Sequence, residues 1–137
     1  MDRRFTFSKP EHLCLRSDIS ALFASGSRSM TVYPIRMVYR QVDVAEHRPA
    51  VQVLLSVSKR HFRYAVDRNR VKRLLREAYR HHKHILTAQL PESRGLHIGF
   101  LWLSDNLPAA EEVELCIVRL LQQLSERLAP KPATSES

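Results

Sequence analysis

Apolar positions along this chain change period several times, and each change marks an element. Leu15, Ile19, Leu22 and Phe23 recur at helical spacing over about 15–25, with Gly26 as a stop, and predict a first helix. Residues 31–40, TVYPIRMVYR, are rich in β-branched and aromatic residues and predict one strand. Pro34 suits an edge or a strand opening. From Ile35 the pattern alternates, with Ile35, Met37 and Tyr39 on one face and Arg36, Val38 and Arg40 on the other. Residues 41–49 read as a solvated connection, although the Val42/Val44 alternation could extend the strand. The apolar density of 50–58, AVQVLLSVS, predicts a second strand at a central position of a sheet.

A basic loop follows, then a helix over 67–82 with Asp67 as its cap. Beyond a linker holding Pro91 and Gly95, LHIGFLWL (96–103) predicts a third strand. Asn106 or Asp105 caps a last helix starting near Pro108. Its apolar stripe is Val113, Ile117, Leu120, Leu121, Leu124 and Leu128. Residues 1–8, with Phe5 and Phe7, read as extended, and 129–137, APKPATSES, as a disordered tail. The order α, β, β, α, β, α predicts an α+β sandwich, one domain over 1–128 with helices covering a small sheet.

Composition narrows the class. At 137 residues, 44% hydrophobic, the chain is neither disordered nor collagenous. It has no apolar run of the ~18 residues a membrane helix needs. The N-terminus lacks the apolar core of a secretion signal. Two isolated cysteines, Cys14 and Cys116, fit a reduced compartment and read as small core residues. A soluble, cytoplasmic protein is expected.

Charge changes the picture more. Lys plus Arg total 22 against 14 Asp plus Glu, a net +8. Residues 58–84 hold ten of the cations against Asp67 and Glu77, so the rest of the chain is balanced. A neutral body with one basic strip calls for a polyanionic partner. On a helical projection from Asp67, Val71, Leu74, Leu75 and Ala78 share one face. Asn69, Lys72, Arg73, Arg76 and Arg80 lie opposite, with Arg68 and Arg70 on the flanks. Solvated faces usually mix signs to form i,i+4 pairs, but this one repels itself, which an anionic ligand relieves. The preponderance of Arg suits bidentate contact with phosphate. A membrane surface fits less well, because the apolar side of this mid-chain helix is needed for a core.

The string SVSKR (56–60) followed by AVDRNRVKRLLRE (65–77) resembles the signature of the protein subunits of bacterial ribonuclease P. Ser56, Val57, Ser58, Lys59 and Arg60 match its strand end. Ala65, Val66, Arg68, Asn69, Arg70, Lys72, Arg73, Arg76 and Glu77 match its basic helix. Departures are Leu54 or Leu55 where relatives often carry Gly, the connection HFRY in place of Gly-Asn, and Ile19 where relatives often have Phe. The resemblance implies a compact α+β fold with a small, mostly antiparallel sheet and a left-handed βαβ crossover. It implies a monomeric subunit that is not the catalyst. That subunit binds a catalytic RNA that cuts the 5′ leader from precursor tRNA, with Mg²⁺ held mainly by RNA and substrate and no organic cofactor.

By the same resemblance, Arg68, Asn69, Arg70, Lys72, Arg73, Arg76 and, continuing the strip, Arg80 face the catalytic RNA. Ser58, Lys59 and Arg60 lie near the leader. The cleft between the first helix and the sheet takes Ile19, Phe23, Tyr33, Met37 and Tyr39 as candidates for holding unpaired bases. The aromatic and apolar members of that set also read as core. No catalytic or metal-ligating residue is assigned to the protein. His81 and His84, at i,i+3 beside His82, lack a nearby third ligand, and histidines at a helix C-terminus suit its dipole. The acidic residues show no cluster of the kind that holds Mg²⁺ in a protein nuclease. The alternatives are a ribosomal or ribosome-assembly RNA-binding protein, a DNA-binding regulator, and a nuclease active without RNA.

Overall fold

The computed structural model describes residues 16–23, 27–43, 51–87 and 94–128. Helix α1 (Arg16–Leu22) precedes strands β1 (Arg28–Val32), β2 (Ile35–Asp43) and β3 (Val51–Ser56). Helix α2 (Ala65–His82), the single turn α3 (His84–Thr87), strand β4 (Arg94–Trp102) and helix α4 (Ala110–Leu128) follow. The sheet order is β1-β2-β4-β3, with β3 and β4 parallel and the other pairings antiparallel. The expectations for Phe5, Phe7, Cys14, Leu15, Gly26, Pro91 and the 129–137 tail lie outside the described residues.

The single strand expected over 31–40 is two strands. Val32 pairs with Ile35 across a turn at Tyr33 and Pro34, whose peptide bond is cis. Proline lacks the N–H a continuous ladder would use, so the chain reverses there and the element order gains a strand. Leu103 N donates to Pro34 O at 2.8 Å, tying this turn to the end of β4. The strand over 50–58 is also corrected: β3 is an edge, and β2 and β4 are central. Its apolar density arises because both faces are partly covered. Val51 and Val53 enter the main core, while Leu54 packs on the opposite side against Leu22 and Val38.

The two cores divide along the strand alternation. Ile35, Met37 and Tyr39 of β2 join Leu96, Ile98, Phe100 and Trp102 of β4 under α2 and α4. Helix α4 supplies Val113, Ile117, Leu120, Leu121 and Leu124, and α2 supplies Val71, Leu75, Ala78 and Tyr79. The tilted Tyr79 and Phe100 rings lie 6.1 Å apart. On the other side of the sheet, α1 packs through Leu22 and Ile19 on Val38, Leu54 and Leu101. Gly99 permits that approach: a Cβ there would sit 3.2 Å from Leu22 Cδ2 and 3.6 Å from Phe23 Cζ.

Because the α1 cluster is small, Gly99→Val should lever α1 off the sheet without melting the main core. Overpacking of ~1–3 kcal/mol corresponds to roughly 5- to 150-fold faster amide exchange in α1. Hydrogen exchange should show this for Arg16–Leu22, with α2 and α4 protection retained. Equal acceleration in all helices would mean that the two cores are one cooperative unit.

Both long helices start differently from expectation. The N-cap of α2 is Tyr64, three residues before Asp67, and it makes no side-chain capping bond. Asp67 instead places its charge in the first turn, where it suits the dipole. Helix α4 starts at Ala110, and neither Asn106 nor Asp105 caps it. Asn106 N donates to Ser104 Oγ at 3.0 Å, and Asp105 is engaged by His61. Ala109 N donates to Glu112 Oε1 at 3.5 Å, the reach-back half of a capping box.

Candidate nucleic-acid interface

Helix α2 is anchored on one side and cationic on the other. Val71, Leu75, Ala78 and Tyr79 are buried, while Asn69, Arg70 and Arg73 are exposed and Lys72 and Arg76 half-exposed. A recess of about 600 Å³ is lined by Val66, Asp67, Asn69, Arg70, Arg73 and Arg76. Arg76 Nε is buried without a hydrogen-bond partner among the described residues, so its stem is packed and its head held toward that recess. Arg70 to Arg76 covers about 9 Å of helix axis, enough to meet more than one phosphate of an RNA backbone.

Two of the expected cations are committed within the protein. Arg68 Nη1 donates to the carbonyls of Phe62 (2.9 Å) and Arg63 (3.1 Å), binding α2 to the loop before it. Arg80 Nη2 donates to Glu77 Oε1 at 2.7 Å and also contacts His81 Nε2 at 3.0 Å. The Arg80 guanidinium holds the Glu77 carboxyl below the usual carboxylate range.

The loop 57–64 is built rather than free. Phe62 is buried, and His61 N and Phe62 N both donate to Ser58 O. Arg60 N donates to Ser58 Oγ, and His61 Nδ1 lies 2.7 Å from Asp105 Oδ1, across to the turn after β4. Ser58, Lys59, Arg60 and Arg63 are left exposed on this frame. At the far end of α2, His82 Nε2 meets Glu114 Oε1 of α4 at 2.8 Å. His82 is thus a tie between the helices, a role its position in a His run did not signal. The Cys116 Sγ sits 3.6 Å from Tyr33 O, and burial pushes its thiol up, away from reactivity.

The cleft expectation needs correction. Met37 and Tyr39 are 0% and 4% exposed in the core beneath α2 and α4, on the sheet face opposite α1. Arg127 Nη1 donates to Tyr39 OH at 3.1 Å. Neither can reach a ligand beside α1. The α1 face of β2 carries Arg36, Val38 and Arg40, and both arginines are exposed. The alternation separated these two sets, but it could not say which face α1 covers. Phe23 is 48% exposed beside Gly99, and Ile19 is half-buried on the same side. Tyr33, 69% exposed, sits on the hairpin turn against α4.

Residues 7–101 match the family model described as Ribonuclease P. The chain is 45% identical over 124 residues to the ribonuclease P protein component of Porphyromonas gingivalis, covering 88% of each chain. It is 38% identical over 126 residues to that of Chlorobium phaeobacteroides, covering 83% of this chain and 86% of the relative. Among solved structures, the RNase P protein of Staphylococcus aureus superposes with a TM-score of 0.64 at 16% identity. That match covers 83% of this chain and 94% of the other. The RNase P protein from Thermotoga maritima gives 0.62 at 20% identity, covering 82% and 96%. These two neighbours share the mixed α+β fold.

Proposed function

This chain belongs to the ribonuclease P protein family, and from that premise we propose that it acts by two surfaces, one for the catalytic RNA and one for the precursor's 5′ leader. Its partner is the RNA subunit of a ribonucleoprotein endoribonuclease, in which it is a non-catalytic component. The observation that carries the reading is the two-faced build of α2, with Arg70 and Arg73 exposed opposite the buried Val71, Leu75 and Ala78. Exposed guanidinium groups on a core-anchored helix meet phosphates at little ordering cost. Asn69, Lys72 and Arg76 complete that surface, while Arg68 and Arg80 act mainly in holding its shape.

The leader surface is the α1 side of the sheet. Phe23 offers an exposed ring, Arg36 and Arg40 offer charge along β2, and Ser58, Lys59 and Arg60 continue from the end of β3. Stacking and phosphate contact together hold a single strand without requiring a base sequence. The donor set of α2 is cationic and does not suit a divalent ion, so Mg²⁺, which supplies the hydrolytic chemistry, is assigned to RNA and substrate. The protein's own contribution is to neutralise phosphate charge and position the precursor. No described helix is long and apolar enough to cross a membrane.

The test is cleavage of a 5′-extended precursor tRNA at low Mg²⁺ by the protein, a bacterial ribonuclease P RNA, and both. Cleavage at the mature 5′ end should require the mixture. Cleavage by the pure protein would overturn the mechanism. A folded protein that stimulates no bacterial ribonuclease P RNA would leave a generic basic RNA binder.

A further inference from the structure

Tyr64 fills a position where the fold gains little from an aromatic ring. It is the N-cap of the 18-residue α2, at φ −95° and ψ 137°, and makes no side-chain capping bond. Ser, Thr, Asp or Asn in that conformation would accept a bond from a first-turn amide, which tyrosine cannot do. Tyr64 is 62% exposed, and Val66, two residues on, is 72% exposed. A local rule broken with no gain in packing points to a role outside the folded chain.

The surroundings hold the ring in place. Phe62 is buried two residues earlier, and Arg68 donates to the carbonyls of Phe62 and Arg63. The Arg63 guanidinium lies 5.7 Å from the Tyr64 ring centroid. This cation–π contact leaves a large part of the ring in solvent and sets a positive charge beside it. Val66, two residues on, lines the recess together with Asp67, Asn69, Arg70, Arg73 and Arg76, so Tyr64 stands in the chain at the entry to the cationic face of α2.

We infer that the Tyr64 ring, backed by Arg63, is a stacking site for an unpaired base of the catalytic RNA. The inference rests on the assignment of α2 to that RNA. Paired A-form RNA keeps its base faces stacked, so a ring of this kind engages a loop, bulge or splayed nucleotide. Arg63 and Arg70 would meet the phosphates on either side of it, which accounts for an aromatic amid cations rather than another cation.

The experiment titrates a bacterial ribonuclease P RNA with the intact protein and with Tyr64→Ala, Tyr64→Phe and Tyr64→Ser at several salt concentrations. Alanine and serine should weaken binding by roughly 5- to 150-fold, the equivalent of ~1–3 kcal/mol per stacked base. Phenylalanine should stay within about twofold, since stacking needs the ring and not the hydroxyl. The slope of log affinity against log salt should not change, because no phosphate contact is lost. Tyr64→Ser should also raise Tm by about 2–5 °C through a restored cap, which a merely structural tyrosine would not permit.

Wild-type affinity in Tyr64→Ala, or equal loss in Tyr64→Phe, would overturn the stacking site. So would a loss confined to leader-bearing precursor, measured against a leaderless one with the holoenzyme, because the ring would then serve the substrate. Failure of the wild-type protein to bind or stimulate the RNA would instead overturn the subunit reading and the stacking site with it.

Discussion

Replacing Arg70 and Arg73 together by glutamate should weaken binding of the catalytic RNA by about 100-fold or more, since each charge-assisted contact is worth ~1.5–3 kcal/mol. Both side chains are exposed and line the same recess on α2. Neither side chain belongs to the core, and exposed helix pairs are worth only a few tenths of a kcal/mol each, so the fold should not suffer. Filter binding at several salt concentrations checks this. The slope of log affinity against log salt should shrink by roughly 2, one unit per lost phosphate contact. An unchanged slope and affinity would remove this face of α2 from the interface. Arg68 is a poor choice for the same experiment. Its guanidinium holds the carbonyls of Phe62 and Arg63, and a carboxylate there would damage the loop as well as the charge.

The opposite face of the same helix gives the largest expected effect on stability. Leu75→Ala should destabilise by ~2–5 kcal/mol and lower Tm by roughly 8–20 °C. Leu75 is fully buried in the cluster that includes Tyr79, Phe100, Ile117, Leu120 and Leu121, where truncation leaves a cavity between α2 and α4. Thermal unfolding followed by circular dichroism measures the shift. Saturating catalytic RNA should restore part of the lost Tm, because a ligand that binds only the folded state stabilises it. A fall under about 2 °C would mean that the site collapses around the smaller side chain, and α2 would then be held elsewhere. Taken together, the two variants separate what α2 contributes to binding from what it contributes to folding.

Much of this was readable along the chain because it depends on period and on local chemistry. The α2 ridge and its buried Val71, Leu75 and Ala78 follow from 3.6-residue spacing, as does the α4 stripe from Val113 to Leu124. The alternation of β2 into Ile35, Met37 and Tyr39 against Arg36, Val38 and Arg40 follows from the pleat. The motif SVSKR with AVDRNRVKRLLRE pointed to the family that the comparisons then showed.

What the chain left open concerns partners distant in sequence. Period 2 names two sheet faces without saying which of them a helix will cover. Met37 and Tyr39 therefore read as cleft residues until α4, some 80 positions away, buried them. Apolar density marked β3 as covered on both faces but could not distinguish a central strand from an edge, which strand pairing decides. Arg68 and Arg70 are indistinguishable as letters in a basic run. Only the fold of the loop from Ser58 to Tyr64 brings two carbonyls to Arg68 and leaves Arg70 to solvent. Sequence alone determined the helix and strand periods, the charged strip and its family, because these are short-range properties of side chains. Tertiary structure decided which face each strand buries and which cations remain available, because both depend on what packs or bonds across the chain.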